Sequence, residues 1–293
     1  MTLFSQIIHI VFPIFSIIAL GYFFAFFKKI DLKPVVEILL YITIPALVIS
    51  SLSQREIIVS DLINISIVTC SVIFGVGGIS WLYLRVTGAK KLRGFYLPTI
   101  FMNAGNIPFP LALLAFGAEG LQVAVLYYIT ASILVYTLGI LIAKGRSGLS
   151  EVFKLPLVYC SFIGIGLNLA DISIPSSILT TLDMLGAATI PLMQLSLGYY
   201  LYAIKITKIR MTIAGSLIRI LGGFLIGLGV ATLLGLNGVT LKVVIISSMM
   251  PSAVITFILS YKYDLDSELV ASIVAMSTLI SIISIPLVLA WLL

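Results

Sequence analysis

The sequence predicts an all-α integral membrane protein of ten transmembrane helices in two inverted five-helix repeats. Three observations predict it. They are the composition, the regular alternation of apolar runs with short polar connectors, and two pairs of matching segments whose members are separated by nearly the same number of residues. The chain has 293 residues, 61% of them hydrophobic and only 10% charged, with a mean hydropathy of +1.24. Soluble domains carry about 25% charged residues. The composition therefore excludes an ordinary soluble protein.

Each apolar run has a length close to the ~20 residues that cross the hydrocarbon core as a helix. The predicted spans one to ten are 7–27, 34–53, 62–84, 95–116, 121–143, 155–170, 178–203, 211–234, 241–260 and 269–292. The longest basic connector, residues 144–154, separates spans five and six. We therefore expect residues 1–143 to be the first five-helix repeat, 144–154 a cytoplasmic connector, and 155–293 the second repeat.

The orientation follows from Lys and Arg, which concentrate in cytoplasmic loops. Of the 17 basic residues, 14 lie in the connectors after spans one, three, five, seven and nine. These connectors are predicted to be cytoplasmic, which places both termini on the outer side of the cell membrane. The sequence thus predicts a multi-pass protein that contacts the lipid bilayer and no nucleic acid, because its positive charges mark loops rather than one basic face.

Two landmarks recur in the two halves. The segment TIPALVISSL begins at Thr43 in span two, and TIPLMQLSLG begins at Thr189 in span seven, 146 residues later. Pro108 in span four and Pro251 in span nine are 143 residues apart. Two matches at nearly one separation favour a five-helix repeat over chance. Since a repeat with an odd number of spans inserts its second copy upside down, the repeats are predicted to be inverted.

Spans four and nine carry residues that interrupt a helix within apolar sequence. Span four reads NAGNIPFP from Asn103, and span nine reads SSMMPS from Ser247. Irregular backbone at membrane depth is tolerated only inside protein or beside a water-filled cavity, and paired interruptions in two halves point to a transporter's binding site. We expect two broken crossover helices that meet near the midplane and offer loose N–H groups, positive helix ends and amide side chains to a solute.

The predicted solute site takes residues from both interruptions and one polar residue from span seven. The predicted substrate-binding residues are Asn103, Gly105, Asn106, Pro108, Ser247, Ser248, Pro251, Ser252 and Gln194. For Gln194 two interpretations stay open: it faces the solute, or it bonds a neighbouring helix. Arg219, inside span eight, is expected to extend its side chain to the cytoplasmic surface, with attraction of an anion as the alternative.

Segments of these two spans resemble a known family. FMNAGNIPFPLALLAFGAEGL (101–121) and the Pro-Ser-Ala-Val stretch at 251–254, followed by Tyr261-x-x-Asp264, are similar to the auxin efflux carrier family, which lies near the bile-acid sodium symporters. The resemblance implies a scaffold of spans 1, 2, 6 and 7 that often forms a homodimer. It implies elevator-like movement of a transport domain, spans 3–5 and 8–10, and small organic anions as solutes. In span four the chain departs from a common Asn-Thr-Gly-x-x-Gly-x-Pro form of the family, and it lacks the long cytoplasmic loop of many plant members.

The predicted function is a carrier of a small organic anion, with no enzymatic activity, cofactor or bound metal. No Asp or Glu lies between Asp61 and Glu119 or between Asp183 and Asp264, so both interruptions lack the carboxylates that a cation site or a proton relay would use. Helix N-termini and Asn side chains suit an anion instead. We therefore expect uniport driven by the solute gradient and the membrane potential. A sodium-coupled symporter and a membrane receptor that does not transport are the alternatives.

Overall fold

The computed structural model describes residues 2–54, 56–89, 92–144 and 153–293, which form helices joined by short connectors, with no strand beyond one isolated bridge. We number the helices in chain order. They are α1 Leu3–Phe27, α2 Lys33–Ser53, α3 Val59–Val86, α4 Tyr96–Ile100, α5 Pro108–Lys144, α6 Pro156–Leu169, α7 Ser176–Tyr202, α8 Ile209–Leu233, α9 Gly238–Ser248, α10 Val254–Lys262 and α11 Ser267–Leu292.

Seven of these helices are long and apolar enough to cross a membrane: α1, α2, α3, α5, α7, α8 and α11. This confirms the predicted class, a multi-pass membrane protein made of helices. The predicted spans one, two, three, seven, eight and ten each correspond to one long helix. The predicted connector, 144–154, falls mostly on residues 145–152, which lie outside the described ranges.

The longest helix, α5, reverses direction within its length. Its 37 residues would extend about 55 Å if straight. At Gly117, however, the backbone has φ +68° and ψ −157°, a conformation that glycine adopts without steric cost. A Cβ atom added at Gly120 would lie 2.6 Å from the carbonyl oxygen of Ala112, whereas residues eight apart in a straight helix are separated by about 12 Å. The chain therefore folds back at Gly117, between the predicted spans four and five.

Two regions of the sequence that predicted single spans contain interrupted helices. The first break, residues 101–107, separates α4 from α5, and the second break, residues 249–253, separates α9 from α10. Pro108 occupies the first turn of α5, where its missing N–H costs nothing. Pro251 lies inside the second break, since a proline ring within a helix clashes with the preceding turn.

Glycines fix the packing of α1, α2, α6 and α7, which we call the first helix group. A Cβ added at Gly198 of α7 would overlap the carbonyl oxygen of Ile18 in α1, and one at Gly21 would overlap that of Leu195. Gly186 of α7 packs against Leu47 of α2 in the same way, since an added Cβ there would lie 3.1 Å from the Leu47 Cα. Such close backbone approach between helices is the usual role of small residues in membrane proteins.

The remaining helices, α3–α5 and α8–α11, form the second helix group. Its centre is α8, which packs against α3, α9 and α11. Gly227 of α8 leaves room for the side chain of Ser248, and an added Cβ at Gly215 would lie 2.7 Å from Ile273 of α11. The two breaks lie within the second group, and α8 packs against the end of α9, where the second break begins.

Candidate functional site

The two breaks cross and bond to one another through their backbones. The N–H of Asn103 donates to the carbonyl oxygen of Pro251 over 2.6 Å, and the N–H of Ala253 donates to that of Phe101 over 3.0 Å. Between these bonds, Met102 and Ser252 form an isolated antiparallel bridge. Each break thus satisfies part of the other's backbone, as irregular structure at membrane depth requires.

Ser248 and Ser252, both predicted to bind solute, bond to the protein itself. The Ser252 hydroxyl donates to the carbonyl oxygen of Pro98 in α4 over 2.6 Å, and its N–H donates to the Ser277 hydroxyl over 3.0 Å. The Ser248 hydroxyl donates to the carbonyl oxygen of Val244 over 2.7 Å, and it lies 3.2 Å from the Tyr127 hydroxyl. Both serines are fully buried, so their geometry suits holding the crossing together.

A cavity of about 160 Å³ lies beside the crossing, between the two helix groups. Helices α2 and α7 form one wall, and the first break, the second arm of α5 and the start of α10 form the other. Its polar lining residues are Asn103, Asn106, Tyr128, Ser132, Tyr136, Ser196 and Tyr200, and its other lining residues are glycine or apolar. No Asp, Glu, Lys, Arg or His belongs to this lining among the described residues.

Asn103 and Asn106 form the polar edge of the cavity. The Asn103 side-chain oxygen accepts the backbone N–H of Asn106 over 3.0 Å, and the Asn106 amide donates to the carbonyl oxygen of Met193 in α7 over 3.1 Å. The Asn103 Nδ2 group has no partner among the described residues, although Asn103 is only 4% exposed. A buried donor without a partner costs free energy. An acceptor supplied by a ligand would remove that cost.

The start of α10 provides a second set of donors. Ala253, Val254 and Ile255 line the cavity, and no side chain caps this helix. The N–H groups of Val254 and Ile255 have no partner within the helix, because the first N–H groups of any helix lack one. The α10 N-terminus also carries the positive end of the helix dipole.

The start of α5 differs from the expectation of loose N–H groups in both interrupted helices. Pro108 and Pro110 have no N–H, and those of Phe109 and Leu111 donate to the carbonyl oxygens of Gly105 and Ile107. The expectation was wrong for this helix, since the prolines that mark the break also remove its donors. Free donors beside the cavity therefore come from α10 and from Asn103.

The other predicted residues lie in different surroundings. Gly105 lines the cavity, and an added Cβ there would lie 2.7 Å from Cε of Met193. The Pro251 carbonyl accepts one of the crossing bonds. Ser247 is buried, and its hydroxyl has no partner in the described part of the chain. Gln194 is 1% exposed, lies outside the lining, and has no hydrogen-bond partner for either amide atom among the described residues. Neither interpretation of Gln194 describes this position.

Arg219 does not extend to the cytoplasmic surface: the side chain is fully buried in α8. Its Nη1 donates to the carbonyl oxygens of Thr99 and Ile100, over 3.2 and 2.7 Å, and its Nη2 donates to that of Ser248 over 2.7 Å. The guanidinium thus joins the C-terminal ends of α4 and α9. The sequence shows only that Gly223 follows Arg219 at i+4, on the same face of the helix. The structure gives that glycine its role, since a Cβ there would overlap the guanidinium.

No cluster of three or more His, Cys, Asp or Glu side chains suited to a metal ion occurs within the described ranges. The two cysteines, Cys70 and Cys160, are free thiols. The functional features of the crossing are therefore amide, hydroxyl and backbone groups around an apolar cavity, with one buried guanidinium behind it.

Known proteins match the chain over almost its whole length. The model of a family described as "Membrane transport protein" matches residues 6–152 and 146–289. An uncharacterised transporter of Methanothermobacter thermautotrophicus is 29% identical over 272 residues, which cover 88% of each chain. An uncharacterised transporter of Methanocaldococcus jannaschii is 29% identical over 301 alignment positions, covering 95% of this chain and 96% of the relative.

Proposed function

This chain belongs to the membrane transport protein family, that of the auxin efflux carriers, and we propose that it is a secondary carrier of small organic anions. The observation that carries the proposal is the cavity between the two helix groups. It is lined both by Asn103, whose Nδ2 group has no partner among the described residues, and by the start of α10, whose first N–H groups no described side chain caps. Both features donate hydrogen bonds, and the helix end adds positive potential. A carboxylate satisfies these donors without a positively charged side chain.

The rest of the cavity lining defines the body of the solute. Leu39, Ile44, Val135, Leu197 and Ile258 give it an apolar surface, with tyrosines at its edges. A dry apolar cavity of about 150 Å³ in another protein holds one benzene molecule, and this cavity measures about 160 Å³. We propose that the solute is a monocarboxylate with one ring or a short chain, which places it among the smallest auxin-like acids.

The ten-span architecture and the inverted repeat belong to the same proposal. The reversal at Gly117 divides α5 into two membrane passes, and α4 with the first arm of α5, like α9 with α10, makes one interrupted pass. Each break bonds the other in antiparallel fashion, which supports a two-fold relation between the halves. The numbers of passes before and after the connector would then be five and five.

We propose that the first helix group is the scaffold and the second group the transport domain of an elevator. The position of the cavity supports this division, because α2 and α7 of the first group form one wall and the crossing forms the other. The Asn106–Met193 bond joins the two groups and would break when they slide. The exposed apolar faces of α1, α6 and α7 would contact lipid or a second copy in a homodimer.

The energy for efflux comes from the anion's own gradient and the membrane potential. With the cell interior negative, outward movement of one negative charge is favoured by roughly 2.3 kcal/mol per 100 mV. At about 1.4 kcal/mol per tenfold change, this corresponds to roughly 50-fold accumulation outside. The cavity lining contains no acid or His within the described ranges that would couple a proton. We propose uniport.

The proposal is tested with purified protein in two steps. A thermal-shift screen with benzoate, phenylacetate, indole-3-acetate, malonate and succinate identifies the acids that bind. Proteoliposomes then receive the radiolabelled acid that gives the largest shift, under a potassium-diffusion potential, with Na⁺ and pH gradients varied separately. We expect saturable flux that follows the voltage and ignores both gradients.

Three outcomes would contradict the proposal. Flux that ignores voltage and requires a sodium gradient would make the protein a symporter. Binding without any flux would make it a receptor, and conductance that does not saturate would make it a channel. Asn237→Asp is the control for substitution of Asn103 by Asp. Asn237 is exposed just before α9, and its side chain caps none of the described N–H groups of that helix.

A further inference from the structure

The buried guanidinium of Arg219 lies between two helix C-termini and has no acidic partner among the residues that the structure describes. It contacts carbonyl oxygens of Thr99 and Ile100, at the end of α4, and of Ser248, at the end of α9. No ion pair joins it to a carboxylate anywhere in the described part of the chain. A buried charge is stable only where other groups compensate it, so the carbonyl groups of the two helix ends carry that role.

The helix ends offer negative partial charge to the guanidinium. The carbonyl groups at a helix C-terminus lack partners within the helix and carry that charge, and three of them, those of Thr99, Ile100 and Ser248, accept from the one guanidinium. In transporters with interrupted helices, unwound carbonyls and helix C-termini of this kind coordinate Na⁺. The end of α4 and the end of α9 therefore present the chemistry of a monovalent-cation site, and Arg219 already fills it.

We propose that the Arg219 guanidinium is a built-in cation, which takes the place of a monovalent cation that would otherwise bind between the C-termini of α4 and α9. Because the guanidinium is covalently part of α8, it moves with the crossing and is not exchanged with either solution. The crossing is then complete in every state of the cycle without an ion from outside. If the protein is the carrier proposed above, on which this consequence rests, its solute moves without a coupling ion.

The surroundings of Arg219 fit this role. A Cβ at Gly223 would overlap both Nη2 of Arg219 and the carbonyl oxygen of Ser248, so this glycine is what lets the guanidinium reach the end of α9. Residues Ile218–Gly222 form a turn of π-helix around Arg219, an irregularity that occurs frequently at functional sites. Its Nε has no partner within the described ranges, so the contacts concentrate on the two helix ends.

The test measures stability, which needs no knowledge of the solute. Wild type, Arg219→Ala and the control Lys242→Ala are purified, and their thermal unfolding midpoints are compared in N-methyl-D-glucamine, sodium, potassium and low guanidinium chloride at equal ionic strength. Lys242 lies in α9, the helix whose C-terminal end Arg219 contacts, but its ammonium group is above the ring of Phe116 rather than at that end. Its loss removes one positive charge without opening the site.

We expect wild type and Lys242→Ala to have one midpoint in all four salts. Arg219→Ala should have a lower midpoint in N-methyl-D-glucamine, and sodium or guanidinium should restore it in a saturable manner. A loss that no cation restores would overturn the inference, because it would indicate a purely structural side chain. Saturable stabilisation of wild type by Na⁺ would overturn it as well.

A second variant tests the inference if Arg219→Ala cannot be purified as folded protein. Arg219→Lys retains the positive charge, so it should be obtained as folded protein with an unfolding midpoint that Na⁺ does not change. A rise of that midpoint in Na⁺ would contradict the inference. The flux assay separates the two proposals. Cation-restored stability without flux of any acid would reject the carrier function and leave the built-in cation standing, whereas voltage-driven flux with no cation effect on Arg219→Ala would do the reverse.

Discussion

The backbone N–H of Asn103 donates to the carbonyl oxygen of Pro251 over 2.6 Å, and this bond brings the two interrupted helices together at one point. From that point the side chain of Asn103 and the start of α10 line the same cavity. Two residues 148 positions apart in the sequence therefore set the distance between the donors that a carboxylate would use.

Asn103→Asp should weaken solute binding while the loop stays folded. The new carboxylate keeps the oxygen that accepts the Asn106 N–H, but it replaces the unpartnered donor by an acceptor. A hydrogen bond to a charged group contributes about 1.5–3 kcal/mol, so the KM of saturable uptake should rise roughly tenfold to a hundredfold. Uptake of the acid selected by thermal shift measures this change. An unchanged KM, equal to that of Asn237→Asp, would place the anion elsewhere.

Ser252→Ala should destabilise the crossing. The substitution leaves the carbonyl oxygen of Pro98 without the 2.6 Å bond that the hydroxyl donates, and an unsatisfied buried polar group costs about 1–3 kcal/mol. We expect a lower thermal unfolding midpoint in detergent, with the control Ser60→Ala, at an exposed position in the first turn of α3, unchanged. Equal midpoints for the two variants would show that the bond to Pro98 contributes nothing.

Gly198→Ala should separate α1 from α7. The added methyl group would overlap the carbonyl oxygen of Ile18, which is backbone and has little freedom to shift. Forcing extra atoms into a packed interface typically costs about 1–3 kcal/mol. Gly166→Ala in α6 is the matched control, because nothing lies within 4 Å of its added Cβ. A Gly198 variant as stable as the Gly166 variant would contradict the packing of the first helix group.

Both chain termini are predicted to face the outside. In a variant whose native Cys70 and Cys160 are replaced by alanine, an impermeant thiol reagent added to intact cells should label Thr2→Cys and leave Lys29→Cys unlabelled. Both positions are exposed, so access depends on the side of the membrane alone. Permeabilised cells should label both, which controls for reactivity. The reverse pattern in intact cells would invert the topology.

The apolar composition and the alternation of apolar runs with polar connectors were sufficient to predict a multi-pass helical membrane protein. In a bilayer the protein must satisfy its own backbone groups, and a helix does so within a single segment. Proline and asparagine marked where the helices are interrupted, since proline removes a donor wherever it stands. The same local reasoning selected Asn103, Gly105 and Asn106, which line the cavity in the structure. That they bind the solute stays a prediction. Ten passes, the inverted repeat and the division into scaffold and transport domain stay predictions.

Other features depended on which surfaces meet in three dimensions. The sequence of α8 shows an arginine inside an apolar span, but only the packed structure orients it toward the ends of α4 and α9 rather than toward the membrane surface. It also assigns the hydroxyls of Ser248 and Ser252 to the protein and leaves the donors of α10 uncapped. The physical reason is that hydropathy and proline act within a few residues of their own position. Hydrogen-bond partners across the crossing lie about half the chain away and exist only once the helices have packed.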